Sequence, residues 1–526
     1  MAELCKITMT KKVVHMATLL RSFARIGAII ICGLYLLLFL SVTVEHLLLH
    51  DTVYWRDAGS IVLIIILSLI VLRMVTVSRI VHSRYTFWVL LVLCLAVKLI
   101  WVINFRTVPK VDYLTFYKTA QMLATSWTID FHYVALFPHI LGYSSFLSLF
   151  FMIFGEGLLV APVINTMLSV ISMIFIYDIT QRLWNRQAAV LASLIWIVYP
   201  SQTIYNSMVL SEPLYTTLIL AFWAWMIRSQ DKLAGYSYRQ IVIGGIGAGL
   251  LLAAIDAVRP LGWVLFLALA IWLVWTLDWR ERRERPESHG RQEGHQRREI
   301  LVREGLLRKL LFLLLIATGL WTAGHVTEWY RDSRLGEQAA SSVGYNIYVG
   351  FNEESRGRWN QADSDRLFDY VREYPEWTAD DVQRQMFEDA KDRILHGNIS
   401  FVSLFYDKLH LLWGDDAMAF KYSDLPKDET DYITVSNVFY IVTVFFSIIG
   451  LAFAVRKNGR SATLMLGLFM LGLTSAHLLS EVAYRYHYSG TAVFAILAGI
   501  GISILYMVPI PTKLSRFMQR LSRSKA

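Results

Sequence analysis

Long apolar runs recur along almost the whole chain. A helix needs roughly 17–25 predominantly apolar residues to cross a bilayer, and most of these runs approach or reach that length. The pattern predicts an all-α polytopic membrane protein, with a bundle of about 12–13 transmembrane or re-entrant helices and one large mixed outer loop. The candidate spans are residues 26–44, 61–77, 87–104, 139–154, 157–179, 188–199, 204–227, 241–258, 261–277, 309–325, 435–454, 462–479 and 489–507.

Composition and charge give these spans an orientation. Of the 526 residues 56% are hydrophobic, which excludes an ordinary soluble protein. The net charge is +9, yet residues 330–431 carry more Asp and Glu than Arg and Lys, whereas residues 279–309 and the tail from Lys513 are basic. Because positively charged segments stay in the cytoplasm, we expect both termini and the Arg-rich loop inside and the acidic loop outside. Arg and Glu alternate in the basic loop, so nucleic-acid binding is not expected.

This orientation divides the chain into four regions. They are an N-terminal region with an extra transmembrane hairpin (1–85), a transmembrane core (86–328), an extracytoplasmic loop domain (329–434), and C-terminal transmembrane helices with a basic cytoplasmic tail (435–526). The core contains a first outer loop at 105–138 and the cytoplasmic Arg-rich loop at 279–309.

One apolar run conflicts with the charge rule. Three spans from a cytoplasmic N-terminus place Asp112 outside, and counting back from the Arg-rich loop places the short basic link 181–187 inside. Two apolar runs lie between these points, although a single crossing is all that fits. We interpret residues 139–154, a short run that includes Gly142 and Ser144, as re-entrant or interfacial. The alternative is that the basic link faces outward.

The acidic outer loop is too long for a simple connector and contains two predicted helices. Residues 378–395 have helical periodicity, with Thr378 as the N-cap and acidic residues in the first turn. Residues 399–413 form an aromatic amphipathic stretch that we expect to lie at the membrane surface.

Four polar clusters are expected at the outer side of the bundle. An ionised carboxylate such as Asp112 suits a general base, a charged group at membrane depth such as Glu212 usually faces a cavity or a partner, and the planar fork of Arg suits phosphate. The clusters are Asp112 near Arg106, Lys110 and Lys118; Glu212 before Pro213; Asp256 and Arg259 before Pro260; and Glu481, Arg485 and His487 among tyrosines.

Each cluster also has a simpler interpretation. Asp112 alone fits an interfacial acid held by neighbouring lysines, and Glu212 alone fits an acid that packs in the bundle paired to an arginine. The three cysteines, Cys5, Cys32 and Cys94, provide no metal-ligand spacing, and the sequence supports neither a cofactor nor a divalent metal.

In order along the chain, these segments resemble the GT-C superfamily of membrane glycosyltransferases. The likeness is greatest to the branch of protein O-mannosyltransferases and lipid A aminoarabinose transferases. The matching motifs are the acid Asp112, the run 137–155 that ends in Phe-Gly, the pair Tyr199 and Pro200, the triplet Ser211, Glu212 and Pro213, the pair Arg259 and Pro260, residues 345–360, and Glu481 with Arg485 and Tyr486.

The resemblance implies a GT-C-like bundle and a specific chemistry. The donor would be a sugar on a polyprenyl phosphate, and the acceptor a glycan, a lipid or a protein. Asp112 would be the catalytic base and Glu212 a second catalytic residue that orients substrate or holds an arginine, while Arg485 and Arg259 would bind the donor phosphate. Substrate-binding roles would fall to His139, Tyr345, Asn346, Asn352 and Glu481. Tyr113 follows Asp112 where several relatives carry a second acid, so no metal is implied.

Other functions fit part of the same pattern. A lipid-linked glycan flippase or transporter also needs charges inside the membrane, although no internal repeat is found here. A glycan polymerase or ligase of the cell envelope would use a polyprenyl-diphosphate donor, and a non-catalytic assembly scaffold would leave the polar clusters unused. We expect the bacterial cytoplasmic membrane, with the site facing outward.

Overall fold

The computed structural model describes residues 30–41, 59, 83–229, 233–275, 291–341, 343–425, 430–458 and 461–507. The predicted span 61–77, residues 279–290 of the Arg-rich segment and the tail from Lys513 lie outside these ranges. Across the described ranges, all regular secondary structure is helical. The predicted all-α class is therefore confirmed.

Twenty α-helices follow one another in the described ranges. The first eleven are α1 (Ile30–Ser41), α2 (Thr86–Asn104), α3 (Val111–Thr125), α4 (His132–Leu136), α5 (His139–Phe154), α6 (Val160–Leu183), α7 (Arg186–Val198), α8 (Pro200–Tyr205), α9 (Glu212–Ser229), α10 (Tyr238–Val258) and α11 (Gly262–Trp275). The others are α12 (Arg291–Leu335), α13 (Gly344–Gly350), α14 (Gln361–Glu373), α15 (Ala379–His396), α16 (Phe401–Trp413), α17 (Met418–Tyr422), α18 (Thr430–Asn458), α19 (Ser461–Leu479) and α20 (Tyr488–Met507).

Seven of the described helices are long and apolar enough to cross a membrane. These are α2, α6, α10, α12, α18, α19 and α20, and four shorter apolar helices accompany them, namely α1, α5, α7 and α11. The protein is therefore a multi-pass membrane protein. The described part of the Arg-rich segment is helical from Arg291 and continues into the apolar part of α12.

Helix α20 lies at the centre of the bundle, since 94% of its apolar window is buried. Glycines bring it into close contact with α18. A Cβ on Gly450 would lie 1.9 Å from the carbonyl oxygen of Leu497, and a Cβ on Gly501 would lie 2.1 Å from that of Phe446. Small residues at such crossings let membrane helices pack backbone to backbone. The turn that precedes α20 is thereby anchored to the best-buried element of the fold.

Helix α5 contains 16 residues, so it is about 24 Å long, shorter than a hydrocarbon core of about 30 Å. It packs against α3 and α10. The re-entrant or interfacial interpretation of residues 139–154, and the alternative of an outward-facing link, both stay predictions.

The outer loop contains the two helices predicted for it. Helix α15 begins after Thr378, whose hydroxyl accepts from the amide of Asp381 at 3.2 Å while the Asp381 carboxylate accepts from the amide of Thr378 at 3.0 Å. This reciprocal capping box satisfies amides that the first turn leaves free. Helix α16 matches the predicted amphipathic stretch; its place at the membrane surface stays a prediction.

Candidate active site

Glu212 is the first residue of α9 and is almost fully buried. Pro213 follows it, as is common in the first helical turn, and the positive end of the helix dipole favours an acid there. The Ser211 hydroxyl donates to Glu212 Oε2 at 3.4 Å. A carboxylate buried at this depth needs a charged partner.

Arg259 supplies one such partner. It caps the end of α10 in an extended conformation, and its Nη2 donates to Glu212 Oε1 while its Nε donates to the Ser211 hydroxyl at 3.3 Å. The neighbouring acid has a structural role: Asp256 Oδ1 accepts from the amide of Gly262 at 2.9 Å and so caps the start of α11. The predicted cluster of Asp256 and Arg259 is thus divided between a helix cap and the site.

Arg485 lies between two carboxylates. It belongs to the 3₁₀ turn Tyr484–His487 that leads into α20. Its Nη2 donates to Asp112 Oδ2 at 2.5 Å, and its Nε lies 3.5 Å from Glu212 Oε1. Asp112, Arg485, Glu212 and Arg259 therefore form one continuous chain of alternating charges. The ring of Tyr486 is near both guanidinium groups, 5.0 Å from Arg259 and 5.7 Å from Arg485.

Asp112 is the most accessible of the four residues in this charged network. Its side chain is 43% exposed, against 17% for Arg485 and 4% for Glu212, so the network runs from a wet mouth to a dry interior. In the simpler interpretation, neighbouring lysines hold Asp112; Lys110 does not, because it pairs with Asp424. Val111, directly before Asp112, has a φ of 48°, a strained conformation for a β-branched residue that is typical of functional segments.

The predicted substrate-binding residues divide into two groups. His139 lies within the electrostatic influence of Arg259 and Asp112, and Glu481 within that of Arg485 and Asp112. Burial raises the pKa of Glu481 to about 7; Arg485 acts against this increase and Asp112 adds to it. Both residues thus belong to the surroundings of the charged network.

The three predicted residues of the outer loop make contacts outside the four-residue network. Tyr345 is buried, with its ring 5.4 Å from that of Phe137, and burial raises its pKa. The carbonyl of Asn346 accepts from the amide of Glu481 at 2.7 Å. Asn352 donates its side-chain amide to Asp363 at 2.9 Å, so this group is used within the outer loop.

His487 turns away from the site although it follows Arg485 by two residues. It is buried, its Nδ1 lies 2.8 Å from the carbonyl oxygen of Leu412, and its Nε2 lies 2.9 Å from Asp416. Asp416 also accepts from the Ser201 hydroxyl at 2.6 Å. This cluster joins the start of α20 to the outer loop. Sequence reasoning missed Asp416, because an acid in a polar loop carries no signal of burial.

Comparison with known families supports the predicted resemblance. Residues 139–289 match the model of the family described as dolichyl-phosphate-mannose-protein mannosyltransferase. The matched segment contains His139, Glu212 and Arg259, whereas Asp112 and Arg485 lie on either side of it. Over these residues, the predicted resemblance to protein O-mannosyltransferases is therefore confirmed. No curated protein sequence matches the chain.

Two kinds of solved structure resemble this chain, both with low sequence identity. The archaeal oligosaccharyltransferase AglB from Archaeoglobus fulgidus, in complex with an inhibitory peptide and a dolichol-phosphate, is 11% identical with a TM-score of 0.44 over 84% of this chain and 52% of its own. ArnT from Cupriavidus metallidurans, bound to undecaprenyl phosphate, is 13% identical with a TM-score of 0.30 over 78% of each chain. The chain thus spans about half the length of the oligosaccharyltransferase.

Proposed function

We propose that this protein is a glycosyltransferase that moves a hexose or pentose from a polyprenyl phosphate to an acceptor on the outer face of the membrane, with inversion at the anomeric carbon. One observation carries the proposal: Asp112, Arg485, Glu212 and Arg259, from four distant segments, meet in one ion-paired network. Two guanidinium groups beside an accessible carboxylate suit a reaction with a phosphate leaving group and a hydroxyl nucleophile.

The donor phosphate would bind beside Arg485 and Arg259, whose planar forks can each bind two phosphate oxygens. Arg485 would then exchange Asp112 for the phosphate. Asp112, released at the wet mouth of the site, would accept the proton of the acceptor hydroxyl. The acceptor oxygen would form a bond to the anomeric carbon as the bond to the phosphate oxygen breaks, and polyprenyl phosphate would leave with that electron pair. A single displacement of this kind inverts the configuration.

Glu212 would act by holding the arginines in place. Its Oε1 is the shared partner of Arg259 and Arg485, so the two guanidinium groups are fixed relative to each other before the donor binds. Prearranged cations in a partly dry site stabilise charge that develops on a leaving phosphate, and they do so without reorganisation during the reaction.

The acceptor would approach from the outer loop. Tyr345 and Asn346 in that loop, with Glu481 and His139 near the charged network, would contact the acceptor, and the accessible face of Asp112 would receive the hydroxyl. A glycan, a lipid or a protein hydroxyl fits this chemistry. The proposed location is the bacterial cytoplasmic membrane with the site facing outward. No metal is part of the proposed step.

Purified protein in proteoliposomes tests the proposal. Polyprenyl phosphates with different labelled sugars are supplied with a membrane extract as the acceptor source, and product is separated from donor. We expect transfer from at least one monophosphate donor together with release of polyprenyl phosphate. Transfer from a polyprenyl-diphosphate donor alone would instead indicate a polymerase or ligase. Movement of the labelled lipid between leaflets without any transfer would indicate a flippase.

A further inference from the structure

Lys408 is a fully buried lysine on α16, the amphipathic helix of the outer loop. An ammonium group has three donors and no acceptor, and burying it is costly unless each donor finds an oxygen. No carboxylate lies within ion-pair distance of Lys408 among the described residues. Burial lowers the pKa of Lys408 to about 7, and the charge of Glu481 offsets only part of this decrease. The donors of Nζ must therefore be satisfied by oxygens other than carboxylates.

Three backbone carbonyls meet this need. Lys408 Nζ donates to Gly350 at 2.8 Å, to Leu478 at 2.7 Å and to Ser480 at 2.7 Å. Gly350 is the last residue of α13, and Leu478 and Ser480 lie at the end of α19. The final carbonyls of a helix have no partner within the helix, and they carry the negative end of its dipole. One ammonium group thus caps the carboxyl ends of two helices and joins them.

The contact between the outer loop and the end of α19, the Lys408 junction, is also held by backbone hydrogen bonds. Two glycines there leave no space for a side chain. The amide of Glu481 donates to Asn346, and the amide of Val482 donates to Gly357 at 2.9 Å. A Cβ on Gly350 would lie 2.5 Å from the carbonyl carbon of Ser480. Gly357 has a φ of +72°, and a Cβ there would lie 2.9 Å from Cδ and Cε of Lys408. The outer loop and the end of α19 are therefore fitted to one another around this side chain.

Arg485 follows this junction within the same short connection to α20. We propose that Lys408 is a positioning residue for the glycosyl transfer proposed above: it fixes the ends of α13 and α19 to each other and so holds the turn that directs Arg485 toward the donor phosphate. This inference rests on the proposed function for its catalytic consequence. Through these hydrogen bonds, the outer loop and the turn that contains Arg485 are expected to move together.

Lys408→Met is the direct test, because methionine keeps an apolar stem and removes all three donors. We expect the KM for the sugar donor to rise about tenfold or more, because Arg485 would no longer be held in position, while the KM for the acceptor changes little. Lys408→Arg retains donors and should recover part of the donor affinity. The matched control is Lys391→Met, which removes an exposed lysine on α15. Normal donor affinity in folded Lys408→Met protein would overturn the proposal.

Hydrogen–deuterium exchange separates this inference from the proposed function, since it needs no turnover. In Lys408→Met, peptides covering residues 346–357 and 478–487 should both lose protection, and those of α15 should not. Unchanged protection in both would overturn the link, whether or not the wild-type protein transfers sugar. If Lys408→Met does not fold, Gly357→Ala displaces the lysine stem and keeps its charge. We expect the same joint loss of protection there, and unchanged exchange would count against the proposal.

Discussion

Arg485 donates a hydrogen bond to Asp112 at 2.5 Å, across a sequence separation of 373 residues. The pair joins α3 to the turn before α20. Asp112 is the more exposed partner and Arg485 the more buried one, so in the proposed reaction the donor phosphate would replace the carboxylate while Arg485 keeps its place.

Asp112→Asn should separate the two roles of this pair. The neutral amide cannot take up the acceptor proton, so we expect kcat to fall by about 10²–10⁴-fold, the usual contribution of a general base. It also no longer competes with phosphate for Arg485, so donor affinity should be equal to or higher than that of the wild type. Single-turnover transfer and donor binding measured on the same preparation give both values.

Asp424→Asn is the matched control for this substitution. Asp424 pairs with Lys110 at the same surface and is also partly exposed, but it contacts no member of the charged network. Its variant should transfer sugar at nearly the wild-type rate. Undiminished turnover by Asp112→Asn, or an equal loss in both variants, would remove Asp112 as the base.

Glu212→Gln should destabilise the protein and impair transfer together. Removal of one partner from a buried ion pair usually costs about 3–5 kcal/mol, because the remaining charge stays buried without compensation. Here Arg259 loses its only ion-pair partner among the described residues, and Arg485 keeps Asp112. We expect a clear decrease in the unfolding midpoint in detergent and weaker donor binding.

Glu156→Gln serves as its control, because Glu156 is an exposed acid that accepts from Gln121. That variant should melt close to the wild type. Glu212→Asp keeps the charge on a shorter side chain and should be intermediate in stability. A fully stable, fully active Glu212→Gln protein would show that the arginines do not depend on this carboxylate.

Glu481 predicts a pH dependence of stability. Its pKa is raised to about 7 in the folded protein from an ordinary 4.5, chiefly by burial. Between these two values the folded state holds a proton that the unfolded state has lost, so the unfolding free energy falls as the pH rises through this window. Above about pH 7 the folded protein must bury a charge, and the destabilisation is complete.

Glu481→Gln removes this titration. Relative to the wild type, the variant should have a higher unfolding midpoint at pH 8 and a similar one at pH 5. Glu376→Gln, at an exposed acid of the same outer loop, should leave the pH profile unchanged. An unaltered profile in Glu481→Gln would mean that another group is responsible.

The sequence was sufficient for features whose signals are local. Thr378 and the acidic residues after it predict the start of α15, and unbroken apolar runs predict the spans, because capping and bilayer length depend on neighbouring residues. The family resemblance brought Asp112, Glu212 and Arg485 into one hypothesis. The resemblance linked these residues through the order of their motifs along the chain. The residues next to each of them in the sequence give no sign that the three are close in space.

Pairings between distant segments could not be predicted in this way. Lys110 is two residues from Asp112, yet it bonds Asp424, and Asn352 bonds Asp363 within the loop. Lys408 looked like one polar residue of an amphipathic helix, although it is fully buried against carbonyls of two other helices. The sequence shows which residues are charged, but their partners depend on how distant segments pack together.

Gly142→Ala tests how closely the site depends on helix packing. A Cβ on Gly142 would lie 2.0 Å from the carbonyl oxygen of Ala257, so α5 and α10 touch backbone to backbone directly before Arg259. Overpacking of this kind typically costs about 1–3 kcal/mol, and the helices must separate to relieve it. Movement of α10 would carry Arg259 away from Glu212, so we expect both a lower unfolding midpoint and weaker donor binding. Gly324→Ala, where a Cβ meets open space, should change neither quantity. Equal donor affinity in Gly142→Ala and the wild type would show that Arg259 keeps its place independently of this crossing.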